Sequence, residues 1–251
     1  MIDSKFILVT VTDKKFYNFL KSLANSIRIN SPNIRLVVRI VGFTPSLEEF
    51  KTNYYNNTEF IFDNTVFGNS SSTYQYCSYS ESKIKKDDRL SCYCNNIGVN
   101  TINQFLNDVS TDILVYVDVD CIIRKDVSIV NSYLVNSDVG LLPLSYMGDG
   151  NQKYYQFGFV PIKNNSVTRS VFYEFEKRLN VFQQSNQPLF NEILKGRIDL
   201  KIHEFDDSIV SGAMKTWKEE ALIWHASGYQ KFWDTTFRKE FYKYLSSHIV
   251  T

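Results

Sequence analysis

Two aspartates, Asp118 and Asp120, follow directly on the apolar run Ile113-Leu-Val-Tyr-Val117. Carboxylates this close repel one another and resist burial unless a cation or hydrogen-bond donors compensate them. A hard divalent ion, Mn2+ or Mg2+, supplies that compensation and can hold a diphosphate at the same time. Solvated aspartates in a strand-end turn are the plainer alternative. A second group of chemically capable residues lies far downstream in His225-Ala-Ser-Gly228-Tyr-Gln-Lys231-Phe-Trp233. An imidazole offers a metal a nitrogen, a glycine permits close backbone approach, and a lysine meets phosphate as a point charge. Each alone reads as an ordinary surface or satisfied polar residue. Together they point to one divalent cation ringed by Asp118, Asp120 and His225.

For these groups to meet, both runs must end in strands whose ends the fold brings together. Phe6–Val11 is a continuous apolar and β-branched run, as in a strand buried on both faces. Between Lys14 and Asn30 the apolar positions Phe16, Phe19, Leu20, Leu23, Ala24 and Ile27 form a helical stripe, closed by Pro32. Leu36–Val41 is the next strand, and this βαβ unit implies a parallel sheet. Glu59–Phe62 reads as a short strand, and the Ser/Tyr-rich stretch Gly68–Ser82 as loop. A helix is expected over Ser91–Leu106, then a central strand over Ile113–Val117. Later expectations are strands at Val139–Leu142, Leu200–Phe205 and Ala221–Trp224, with helices over Ser166–Phe182 and Asp234–His248. In such a sheet ligands bind outside the carboxyl ends of the strands, and strand alternation would send Asp118 and Asp120 to one side.

Tyr116-Val-Asp118-Val-Asp120 followed by H-x-x-G-x-x-K-x-W resembles glycosyltransferase family 8, the family of glycogenin and bacterial galactosyltransferases. That family shows D-x-D, then N-A-G-V, then D-Q-x-x-x-N, then H-x-x-G-x-x-K-P-W. Here Gln156-Phe157-Gly158-Phe159-Val160 stands in the second place and Asn186-Gln187-Pro188-Leu189-Phe190-Asn191 in the third. The resemblance implies a single GT-A (Rossmann-like) domain over residues 1–251, with a central mixed, mostly parallel sheet flanked by helices. It implies that Asp120 is the main metal ligand, that Asp118 bridges metal and ribose, and that His225 completes the protein ligands. Gly228 and Lys231 would contact the diphosphate, and Thr10, Thr12 and Asp13 would cradle base and ribose. For Thr12 and Asp13, capping of the following helix is an equal and compatible reading. The family's Asp before Gln is Asn186 here, and its Pro is Phe232. Arg89 is the nearest basic residue upstream of D-x-D, placed to fold over the donor or to sit in solvent.

The activity implied is transfer of a hexose from a nucleoside-diphosphate sugar, a UDP-sugar by resemblance, to an acceptor hydroxyl on a glycan, protein or lipid-linked molecule. With retention, Gln187 would stabilise the oxocarbenium-like centre beside Asn186. With inversion, a carboxylate must activate the acceptor, and Asp149, Asp206 and Asp207 are the candidates. A nucleotidyltransferase acting on a sugar phosphate is the enzymatic rival, but Val11-Thr12-Asp13-Lys14-Lys15 lacks the expected glycines. A nucleotide-sugar binder that has lost catalysis is the other, with Asn186 as its best support.

Composition narrows the class further. The chain has 251 residues, 43% hydrophobic and 22% charged, which suits a globular core and excludes a disordered or fibrous chain. A formal net charge of +1 argues against nucleic acid as partner. Phe6–Val11 is too short for a secretory h-region, and no apolar stretch approaches membrane-spanning length. A cytoplasmic protein without stable membrane insertion is therefore expected. Cys77, Cys92, Cys94 and Cys121 include no C-x-x-C pair and no neighbouring histidine, so reduced structural thiols are expected rather than a zinc site. The amphipathic Asp234–His248 segment carries Phe237, Phe241 and Leu245 with Arg238, Lys239 and Lys243. Closing the core is the favoured reading, and resting on an anionic membrane the alternative.

Overall fold

The computed structural model describes residues 3–46, 57–65, 88–108, 110–144, 153–179, 186–212, 217–226, 232 and 234–247. The chain opens with β1 (Asp3–Asp13), α1 (Tyr17–Asn30), β2 (Ile34–Val41) and β3 (Thr58–Asp63). It continues with α2 (Asp88–Leu106), β4 (Ile113–Val117), β5 (Cys121–Ile123), a 3-10 turn at Val127–Ile129 and the short α3 (Val130–Tyr133). Then come β6 (Val139–Leu141), β7 (Phe159–Lys163), α4 (Ser166–Arg178) and α5 (Asn186–Lys195). Last are β8 (Ile202–Glu204), β9 (Val210–Gly212), β10 (Ile223–His225) and α6 (Thr235–Leu245).

Seven strands form one sheet in the order β3-β2-β1-β4-β7-β6-β8. All pairs are parallel except those made by β7, which runs against both β4 and β6. The expected mixed, mostly parallel sheet is therefore what forms. Strands β5, β10 and β9 make a separate three-stranded sheet, which the sequence pattern did not announce.

Alternation along β1 divides the interior in two. Phe6 and Leu8 join Leu20, Leu23 and Ile27 of α1 on one face. Ile7 and Val9 join Ile102 of α2, Phe172 and Phe175 of α4, and Phe190 of α5 on the other. Period-two strands bury both faces only when helices cover both, and each such buried side chain contributes about 1.5–3 kcal/mol. This explains why β1 reads as an unbroken apolar run.

Several boundaries differ from expectation for local reasons. The first helix starts at Tyr17 rather than near Lys14, because the Asp13 carboxylate accepts from Phe16 N at 3.0 Å and holds the preceding turn. The helix expected to reach Phe182 ends at Arg178, where Leu179 turns extended. Its start is fixed by a capping box in which Asn165 accepts from Val167 N and Thr168 N, while Thr168 accepts from Asn165 N. The strand read as Ala221–Trp224 is β10, so His225 is its last residue rather than the residue after it. The C-terminal segment closes the core: Phe237, Phe241 and Tyr244 are buried with Trp224 and Ile122. Ser22 and Asn25 of α1 donate to Phe241 O and Tyr244 O, which docks α6 on α1. Among the described residues, no helix is long and apolar enough to cross a membrane.

Candidate functional site

The chain runs from β1 outward through β2 and β3, and α2 then carries it back to β4 on the other side of β1. This reversal of strand order opens a crevice at the carboxyl ends of β1 and β4, the general ligand position in such sheets. A cleft of about 320 Å3 lies there, with Thr12, Asp13, Asp118, Asp120, Gln187 and His225 in its wall.

At its floor, His225 Nε2 is 3.3 Å from Asp118 Oδ2 and 3.4 Å from Asp120 Oδ1. Strand alternation is not what brings the carboxylates together. β4 ends at Val117, and a turn closed by Cys121 N donating to Asp118 O at 3.0 Å folds Asp120 back. Asp120 and His225 are buried at 6% and 3% exposure. Burial drives the imidazole toward its neutral form, but Asp118 and Asp120 outweigh it and hold its pKa up at about 9. Tyr116 donates its hydroxyl to Asp118 Oδ1 at 3.0 Å, and burial together with Asp118 pushes its own pKa well up.

Glycine shapes two of these contacts. A Cβ on Gly158 would lie 2.0 Å from His225 Cε1, so the ring rests directly on the Gly158 backbone. A Cβ on Gly98 would lie 2.7 Å from the Tyr116 ring. The register Val117↔Phe159 sets Gly158 beside Asp118, and Asp118 N donates to Gly158 O at 2.8 Å.

Helix α5 holds this segment. The Asn191 amide, 3% exposed, accepts from Tyr155 N at 2.6 Å and donates to Tyr155 O at 2.8 Å. One turn earlier, Gln187 Oε1 accepts from Phe157 N at 3.1 Å. The i, i+4 spacing of Gln187 and Asn191 puts both amides on one helix face. Gln187 therefore lines the cleft while its carbonyl is engaged with backbone. Asn186 instead donates to Asn95 O at 2.6 Å, tying α5 to α2. A carboxylate at that position could not donate.

At the end of β1, Thr12 and Asp13 line the cleft, whereas Thr10 is fully buried in β1 and outside it. Asp13 has the helix-start role as well, through Phe16 N. Asp206 is exposed in a turn, accepting from Ser208 N, and neither it nor Asp207 lines the cleft. Asp149, Gly228 and Lys231 lie outside the described residues, and Arg89 is described only as part of the α2 backbone.

Sequence reasoning named Gly158 and Asn191 only within the family's blocks, set Cys121 aside as a structural thiol and did not single out Asn95. The Gln187–Asn191 spacing was a usable signal for Asn191. Nothing local signalled Cys121, which stands opposite His225 across two strands. The donors present fit a divalent cation: two carboxylates and an imidazole converge, and His225 Nδ1 is buried without a hydrogen-bond partner.

No protein-family model matches the chain, and no curated protein matches it by sequence. Solved structures do. Against the galactosyltransferase LgtC in complex with donor and acceptor sugar analogues, the TM-score is 0.61 at 15% identity, over 98% of this chain and 97% of that one. Against the apo bifunctional glycosyltransferase WbbM it is 0.63 at 13% identity, over 99% of this chain and 51% of that one. Against the glycosyltransferase GlyE of Streptococcus pneumoniae TIGR4 it is 0.57 at 12% identity, over 96% and 60%. The fold is thus that of GT-A glycosyltransferases.

Proposed function

We propose that the chain is a glycosyltransferase moving a hexose from a nucleoside-diphosphate sugar to an acceptor hydroxyl, with a divalent cation held by Asp118, Asp120 and His225. The observation that carries this reading is the meeting of those three side chains at the strand-order reversal, in a fold shared with glycosyltransferases. When bound, the cation supplies positive charge to the diphosphate as its bond to the sugar breaks.

The chain's own residues prepare that event. Tyr116 aims Asp118 by hydrogen bonding, so the carboxylate loses no orientation when the donor arrives. Gly158 lets the His225 ring sit against backbone and fixes its plane. Asn191 and Gln187 hold the 155–157 backbone that presents Gly158. Gln156 Oε1 is buried in the cleft without a partner, and a sugar hydroxyl donating to it would satisfy it.

Retention is the stereochemistry we favour. The carboxylates lining the described cleft are Asp13, Asp118 and Asp120. Asp13 is engaged with Phe16 N and the other two face His225, so none of these three is positioned as a general base, while Asp149 lies outside the described residues. Manganese as the ion, uridine as the base, phosphate contacts from Gly228 and Lys231, and a cytoplasmic setting are further parts of the proposal, taken from the sequence. Screening nucleotide sugars for Mn2+-stimulated hydrolysis, with and without glycan acceptors, tests it. Turnover unaffected by a chelator would refute the metal-dependent reading.

A second reading rests on Asn186, whose amide is committed to Asn95 O and so is withheld from the sugar. A nucleotide-sugar binder without turnover would show calorimetric affinity for UDP-sugars and no hydrolysis.

A further inference from the structure

Behind the cleft, in the apolar core beside His225, lies one donor type that the proposal above leaves unused. Cys121 opens β5 and stands directly opposite His225 in the antiparallel β5–β10 register. Directly opposed residues project on the same face of a sheet, with Cβ atoms about 4.5–5.5 Å apart. The thiol is 1% exposed, and its Sγ lies 3.7 Å from O of Gly158, the residue that supports the His225 ring. Donor atoms of Asp120, Cys121 and His225 all lie within 4.8 Å of one another. Sulfur and nitrogen on one zinc-sized ion span at most about 4.4 Å. In a tetrahedral arrangement the two stand closer, about 3.6 Å apart, so closure around an ion draws these donors together by up to about 1 Å. His225 supplies the second sign, being 3% exposed with Nε2 turned to Asp120 Oδ1 at 3.4 Å.

Carboxylates alone suit Mg2+ and Mn2+, whereas a thiolate beside an imidazole suits softer ions. Deepening the metal-dependent reading above and resting on it, we infer that Cys121 is a thiolate ligand of the ion held by Asp120 and His225, and that it turns this site toward thiophilic divalent ions. Binding forms a metal–sulfur bond, breaks the S–H bond and releases the thiol proton to solvent. The thiol's position, where the apolar core containing Val115 and Phe159 meets the carboxylates, keeps competing water away from that bond.

Titration of the full chain with Co2+, followed by near-ultraviolet and visible absorption, reads the ligand directly. Thiolate bound to Co2+ gives an intense charge-transfer band that oxygen and nitrogen donors do not. A saturable band is expected in the wild type and in a variant with Cys77, Cys92 and Cys94 all changed to Ser. It should be lost in Cys121→Ser and in Cys121→Ala, the second variant covering failure of the first to fold. Cd2+ affinity should fall at least about tenfold in Cys121→Ser, the lower end of what losing even an outer-shell partner costs. Mn2+ affinity should change less. Ligand-field bands without charge transfer, or loss of the band in the triple variant, would overturn the role of Cys121 and leave the metal site standing. No Co2+ binding by the wild type would overturn the metal-dependent reading and this inference together.

Discussion

Two buried carboxylate clusters sit at the carboxyl edge of the same sheet, and they are built in opposite ways. Asp63, the last residue of β3, is 8% exposed. It accepts from Arg39 Nε at 2.9 Å, from the Tyr93 hydroxyl at 2.9 Å and from Thr65 N at 3.1 Å. Arg39 in turn donates to Asn100 and Thr101, so charge and donors are matched within the chain. Burial works to raise the Asp63 pKa, but the hydrogen bonds from Thr65, Tyr93 and Arg39 outweigh it and hold it low. At Asp118 and Asp120 the cation-forming partner seen among the described residues is His225, whose pKa the two carboxylates hold up at about 9. A carboxylate ringed by a guanidinium and hydroxyl donors stabilises the fold; two carboxylates converging on an imidazole at a cleft form a donor set that suits a ligand with positive charge. Asp63 and Asp120 are buried alike, at 8% and 6% exposure, so the partners around each, rather than burial, separate the two places.

The largest expected effect separates these roles by activity. Asp120→Asn should lower metal-dependent turnover by on the order of 10³-fold, the scale of losing a main electrostatic element. Its melting temperature in chelator should fall less than that of Asp63→Asn. An Asp120→Asn protein that turns over normally would erase the distinction.

Asp63→Asn comes next. It leaves the Arg39 guanidinium, at 15% side-chain exposure, without its counter-charge, so about 3 kcal/mol of unfolding free energy should be lost. Denaturant titration measures this. Donor affinity at the cleft should be unchanged, and a loss there would show that the two clusters are coupled.

A smaller change is expected for Gly158→Ala. The added Cβ displaces the His225 ring, and metal affinity by calorimetry should weaken about tenfold, as when a group orienting a ligand is disturbed. Unaltered affinity would mean that the ring has freedom the packing does not suggest.

Acid titration is expected to give the smallest difference. The folded pKa of Asp63 lies below its unfolded value. Its contribution is therefore present above the ordinary carboxylate pKa of about 3.9 and disappears as pH falls through the lower folded value. Melting temperature should drop over that acidic window in the wild type, and less so in Asp63→Asn. Identical profiles would remove Asp63 as the satisfied member of the pair.

The sequence by itself determined the βαβ start, the central strand before Asp118, the pairing of D-x-D with His225, and the packing role of the C-terminal helix. These follow from period, run length and residue type, which act over a few positions and leave a local trace. Only the tertiary structure decided that Gly158 carries the His225 ring, that Asn191 holds the segment presenting it, and that Asn186 closes onto Asn95. It also decided that Cys121, set aside as a structural thiol with no histidine near it, faces His225. Residues 121 and 225 become neighbours through strand pairing, and the same register that apposes them follows from burial along whole strands. No residue type at either position encodes it, so the convergence of Asp118, Asp120 and His225 was legible while the packing that assembles it was not.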